Sequence, residues 1–180
     1  MRRSLLLSGF TIALALLLPL SARASSMVPQ SLDELATKSD AVVRVTTLAT
    51  RTQWHNRVIV TIARMRVTDV LLGSFAAGQE IEVATLGGTL DGVELRVAGV
   101  PHFAAGEDDV LFLGAGTFAD WQVTDQAQGK FEVARDSAGR EFLTRRDMEG
   151  VEVSLGAAVP ARLTLGSLTQ RVRSSLRFER

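Results

Sequence analysis

The chain contains no cysteine, which removes two ways of stabilising a small domain at once. No disulfide framework can staple it, and no thiolate can hold a structural metal. Histidine is almost as scarce. His55 and His102 are the only two, in separate turn-like contexts, so no metal centre is expected. An excess of charge is missing too: 20 Lys and Arg stand against 20 Asp and Glu. Arg2, Arg3 and Arg23 fall in the first 24 residues and no acid does, leaving the remainder weakly acidic. Such a surface exerts no long-range pull on phosphate backbones, so nucleic acid is not an expected partner.

What is present begins with an export signature. Arg2 and Arg3 supply a positive start, Leu5 to Leu20 an apolar run, and Ala22-Arg23-Ala24 the small residues that a signal peptidase requires. Residues 1–24 are read as a signal peptide cleaved after Ala24. Ser8, Gly9, Thr11 and Pro19 interrupt the apolar run, which is short for a membrane span of about 20 residues. The membrane is therefore met only through the signal peptide. A twin-arginine route fits Arg2-Arg3, but the Leu-rich run and the lack of a cofactor motif favour general secretion. Localisation is expected to be periplasmic or extracellular. Residues 25–180 suffice for a single domain with one sizeable core.

Ser31-Leu32-Asp33-Glu34 is a capping-box pattern opening a short helix that ends near Ser39-Asp40. Val42, Val43, Val45, Thr46 and Thr47 favour a strand over residues 41–50. Trp54-His55-Asn56 reads as a turn. Residues 57–70 carry apolar side chains on both phases of the alternation, as in a long strand that bends or switches its buried face at a bulge. Residues 81–86 form another strand, 87–92 a flexible turn and 93–97 a short strand. Pro101 lacks an amide donor and cannot continue a central strand. Val110-Leu111-Phe112-Leu113 is the plainest buried strand, followed by strands over 121–124, 130–134 and 141–144. Asp136-Ser137-Ala138-Gly139 joins the last two as a hairpin turn.

From Thr164 the period changes. Leu165, Leu168, Val172 and Leu176 recur at three- and four-residue steps, with Arg171, Arg173, Arg177 and Arg180 on the remaining faces. This C-terminal helix is expected to dock its apolar stripe on the strands rather than on lipid. About seven short strands with frequent turn signals predict a sandwich or small barrel.

Motifs for chemistry are thin. Gly114-Ala115-Gly116-Thr117-Phe118-Ala119 fits G-x-G-x-x-A, but a strand follows where dinucleotide binding needs a helix, so it reads as a hairpin loop. Gly87-Gly88 lacks the lysine and hydroxyl of a P-loop. Glu107-Asp108-Asp109 lacks the spaced oxygens of a calcium loop and reads as a solvated turn. Glu132 and Glu141, on neighbouring strands, read as exposed cross-strand charges rather than an acid–base pair. No Gly-x-Ser-x-Gly occurs. No catalytic residue, cofactor or metal is assigned.

A resemblance rests on residues spread through most of residues 25–180. They are Ser31-Leu32-Asp33-Glu34-Leu35, Ser39-Asp40-Ala41-Val42-Val43, Trp54, the stretch from Val67 to Gly73, Gly87-Gly88 and Gly92. Gly99-Val100-Pro101-His102-Phe103, Gly106-Glu107, Leu111-Phe112-Leu113 and Gln128-Gly129-Lys130-Phe131 complete the set. In these the chain resembles exported bacterial proteins of no assigned activity, whose barrel is similar to the inhibitory domain of tissue inhibitors of metalloproteinases. The resemblance implies an OB-like, five-stranded Greek-key barrel with a flanking helix. Those inhibitors chelate a protease zinc through an N-terminal cysteine, which this chain lacks, so their mechanism is not implied.

The expectation is therefore an exported, non-enzymatic binding domain whose partner is another exported protein such as a protease. Trp54, His55, Pro101, His102 and Phe103 are the candidate contact residues, because aromatic side chains in turns are costly to leave in water. Plugging the barrel ends is their competing role. The alternatives are an exported hydrolase using His102 with a nearby carboxylate, and a structural component of the envelope.

Overall fold

The computed structural model describes residues 25–146, 151–153 and 163–175. The signal peptide expected over residues 1–24 lies outside the described residues, as do Leu176, Arg177 and Arg180. Among the described residues eleven strands are formed. They are β1 (Ser25–Met27), β2 (Ala41–His55), β3 (Val58–Leu72), β4 (Glu80–Leu86), β5 (Gly88–Leu90) and β6 (Val93–Leu95). β7 (Asp108–Ala115), β8 (Trp121–Val123), β9 (Lys130–Arg135), β10 (Glu141–Thr144) and β11 (Val151–Val153) follow. Helix α1 covers Leu32–Lys38 and helix α2 Leu165–Ser175.

Seven strands build one mixed sheet in the order β10-β9-β7-β2-β3-β4-β8, and a further β7–β8 pairing closes β2, β3, β4, β8 and β7 into a ring. Only β4 and β8 run parallel within it. Val110, Leu111, Phe112 and Leu113 of β7 have no solvent exposure, as the apolar run predicts. Their alternation feeds two cores. Leu111 and Leu113 join Val43, Val45, Ala63, Met65 and Val83 inside the ring. Val110 and Phe112 face outward, where Phe131, Val133 and Leu143 meet Leu32 and Leu35 of α1 and Leu168 and Val172 of α2. The stripe of α2 thus docks on the strands.

The long hairpin β2–β3 bends around the ring through bulges. Thr47 pairs with Met65 but Ala49 with Arg64, so Leu48 is extra; Thr68 and Leu71 are skipped likewise on β3. Each extra residue sharpens the local twist and exchanges inner for outer phase. β3 buries both faces at its start because Val60 and Ile62 lie outside the ring beneath Phe118 and Ala119 of the β7–β8 loop.

Several local expectations are revised. Trp54 and His55 are not in a turn. They end β2, and Asn56-Arg57 turns the chain, with Asn56 at φ 56°. A two-residue turn in the left-handed region matches strand twist, and asparagine tolerates it. The glycine turn over 87–92 holds β5, and the reversal narrows to Asp91-Gly92, both at positive φ. Two features escaped the sequence altogether. β1 pairs in parallel with β11, and a 3-10 turn (Gln126–Gly129) precedes β9. The Gly116 loop is a hairpin, as expected: a Cβ there would fall 2.1 Å from Ala119 O, so the glycine is steric.

Candidate functional site

Trp54 and His55 are consecutive strand residues, so their side chains leave opposite faces of the β2–β3 ribbon. Trp54 Nε1 donates to Asp91 Oδ2 at 3.1 Å, tying it to the β5–β6 turn. His55 packs edge-on against Phe118 of the β7–β8 loop, with centroids 5.0 Å apart. Three hairpin tips therefore meet at one rim of the ring. Trp54 is nevertheless 44% exposed, Val58 37% and Val93 48%. Among the described residues only Val28 joins them as an exposed large apolar side chain.

Pro101, His102 and Phe103 lie on the segment between β6 and β7. Pro101 is buried and lines a cavity of about 350 Å³ with Phe118, Gln122 and Gln126. His102 is exposed, and its carbonyl accepts from Lys130 Nζ. Phe103 packs against the inner core with the Lys130 ammonium 4.9 Å from its ring centroid. The five candidate residues thus divide into an open rim (Trp54, His55) and a stopper at the ring's edge (Pro101 to Phe103).

The acidic run is not a solvated turn. Glu107 Oε2 accepts from Ala104 N at 2.9 Å and stands 3.4 Å from Lys130 Nζ. Asp108 forms two hydrogen bonds with Arg44. Asp109 points inward with no exposure, 3.9 Å from Lys130 Nζ. Glu107 and Asp109 share the Lys130 ammonium, while Asp108 turns to the other face and pairs with Arg44, so the three carboxylates do not converge as a calcium loop. Glu141 is held by Arg44 and Arg135, and Glu132 by Arg146 at 2.8 Å. The hydrogen bonds from Arg44, then from Arg135, hold the Glu141 carboxyl below its usual range. These two acids serve separate ion pairs. Among the described residues no three His, Asp or Glu side chains gather as a metal set.

Sequence reasoning missed Asp91, Phe118, Val58 and Val93 as rim residues. The Asp91-Gly92 pair is a turn signal that could have narrowed the loop and exposed the hairpin. Nothing local announces that Phe118 meets His55, since that contact spans two hairpins. No protein-family model matches the chain, and no curated protein matches it in sequence.

Proposed function

We propose that the chain is an exported, non-enzymatic binding domain built on an OB-like Greek-key barrel, and that its rim contacts another exported protein. Numbered along the chain, the ring strands follow the order 1-2-3-5-4-1 with the third and fifth parallel. That arrangement supports the OB-like reading, as does a β7–β8 loop lying beside the first hairpin, where such folds carry ligands. Residues 1–24 support export through their charge, apolar run and small-residue site.

The exposure of Trp54, Val58 and Val93 around one rim carries the binding reading. A tryptophan fixed by its indole donor yet half open to water is preorganised for burial by a partner. Its hydrogen-bond partner Asp91 is itself exposed, which suits a rim more than a core.

Immobilised wild-type protein and a Trp54→Ala, Val93→Asp double variant test this against the exported fraction of the producing cells. Both positions are open, so the variant should keep its far-UV circular dichroism. The expected result is a defined species retained by the wild type and reduced about tenfold or more on the variant. Equal retention on both, or none on either, overturns the reading.

A further inference from the structure

Strand β2 changes its surroundings halfway along. Its pairing with β7 ends at Thr46, and Thr47 closes the row by bonding Gly106 and Glu107. From Leu48 to the turn at Asn56, β3 is the one strand beside it among the described residues. Each residue of an antiparallel strand points both main-chain groups to one side, alternately toward and away from a given neighbour. Ile59 accepts from Gly87 N, so it faces β4, and Trp54 opposite it faces away from β3. Thr50 and Thr52, opposite Ala63 and Thr61, share that phase. The N–H and C=O groups of Thr50, Thr52 and Trp54 therefore line an edge that no backbone group of the described residues meets.

The β5–β6 hairpin does not fill this edge. A Cβ on Gly88 would meet Thr61 Oγ1 at 2.6 Å and Thr52 Cγ2 at 2.9 Å, so β5 lies over the ribbon and not beside it. Ala49, Thr50, Arg51, Gln53, Trp54 and His55 are exposed. Sheet edges are commonly guarded by lysine or proline, and residues 49–55 contain neither. Arg51, their one permanently charged side chain, is held by two hydrogen bonds to Glu82.

We infer that this edge pairs with the same edge of a second copy, antiparallel about a twofold axis at Thr52. The open stretch reaches four residues to either side of Thr52, so an opposed copy covers it from end to end. That register sets Thr52 against Thr52 and Trp54 against Thr50 of the other copy. Thr–Thr and aromatic–β-branched pairs are among those that stabilise antiparallel neighbours. Arg51 meets Gln53, so no like charges stand opposite each other. The contact is isologous and closes at two copies. It is independent of the rim reading, because self-association and retention of a partner are measured separately.

Sedimentation velocity of the purified protein between about 5 and 500 μM tests the pairing. A monomer–dimer equilibrium with a dissociation constant of about 100 μM or tighter is expected. Thr50→Pro removes an outward N–H at an exposed position and should abolish the dimer, while Thr50→Val should keep it. Substitutions at Gln53 leave the main chain intact and read the register. Gln53→Glu, facing Arg51 of the other copy, should tighten the dimer about threefold, and Gln53→Arg should weaken it as much. Monomer at every concentration, a dimer equally strong in Thr50→Pro, or equal effects of the two Gln53 variants would overturn the assignment. If the amides of Thr50, Thr52 and Trp54 resist hydrogen exchange in such a monomer, the edge belongs to another segment of this chain.

Discussion

Asp109 is wholly removed from solvent, and the ammonium of Lys130 stands 3.9 Å from its Oδ2. Lys130 also donates to the His102 carbonyl and covers the Phe103 ring, so one side chain joins β9, β7 and the stopper segment. Removing one member of a buried pair leaves the other charged in a medium that solvates it poorly. Lys130→Met should therefore lower stability by about 3–5 kcal/mol in equilibrium urea unfolding. A loss below about 1 kcal/mol would mean that water reaches the pair and screens it. At this scale the sequence was misleading. Glu107-Asp108-Asp109 has the composition of a solvated turn, and only the register of β7 against β2 and β9 turns Asp109 inward. The side-chain period of two is visible in sequence, but which phase faces the core depends on partners far away.

Elements whose cause is local were legible. Ser31 accepts from Glu34 N and Glu34 reaches back to Ser31 N, the reciprocal pair that its spacing predicts. Helix α2 likewise follows its own period, burying Leu168 and Val172. The extent of β2, the strand β5 and the β1–β11 pairing were not legible, because a partner strand creates them rather than their own propensity. Gly129 shows how tightly such partners fit. A Cβ there would lie 2.4 Å from Thr124 O and 2.9 Å from Val123 Cγ1. Gly129→Ala should lower the urea midpoint, a loss of about 1–3 kcal/mol. Gly166 of α2 has open space around it, so Gly166→Ala should instead raise stability by up to about 1 kcal/mol. Equal effects of the two substitutions would contradict the packing described at both places.

Across the whole molecule, one sheet carries two large cores and a smaller cluster beneath the β7–β8 loop. The inner face closes on itself as a ring, and the outer face is sealed by α1 and α2. Without cysteine, this double use of β2 and β7 is how a chain of modest length buries enough apolar surface. The mainly β class and the two helices were readable from periodicity. The rim was readable only as far as Trp54 and His55, because Asp91, Phe118, Val58 and Val93 join it through contacts between hairpins. The helices cover one face of the sheet, and the proposed contact surface is the tip where three hairpins converge.

The most direct measurement is photo-crosslinking in the producing cells, with a photoreactive residue in place of Val93 at the rim or of Arg171 on the exposed face of α2. A discrete adduct with one exported protein at position 93, absent at position 171, is the predicted result. The same adducts at both positions, or none at 93, would contradict the claim that this rim is the contact surface.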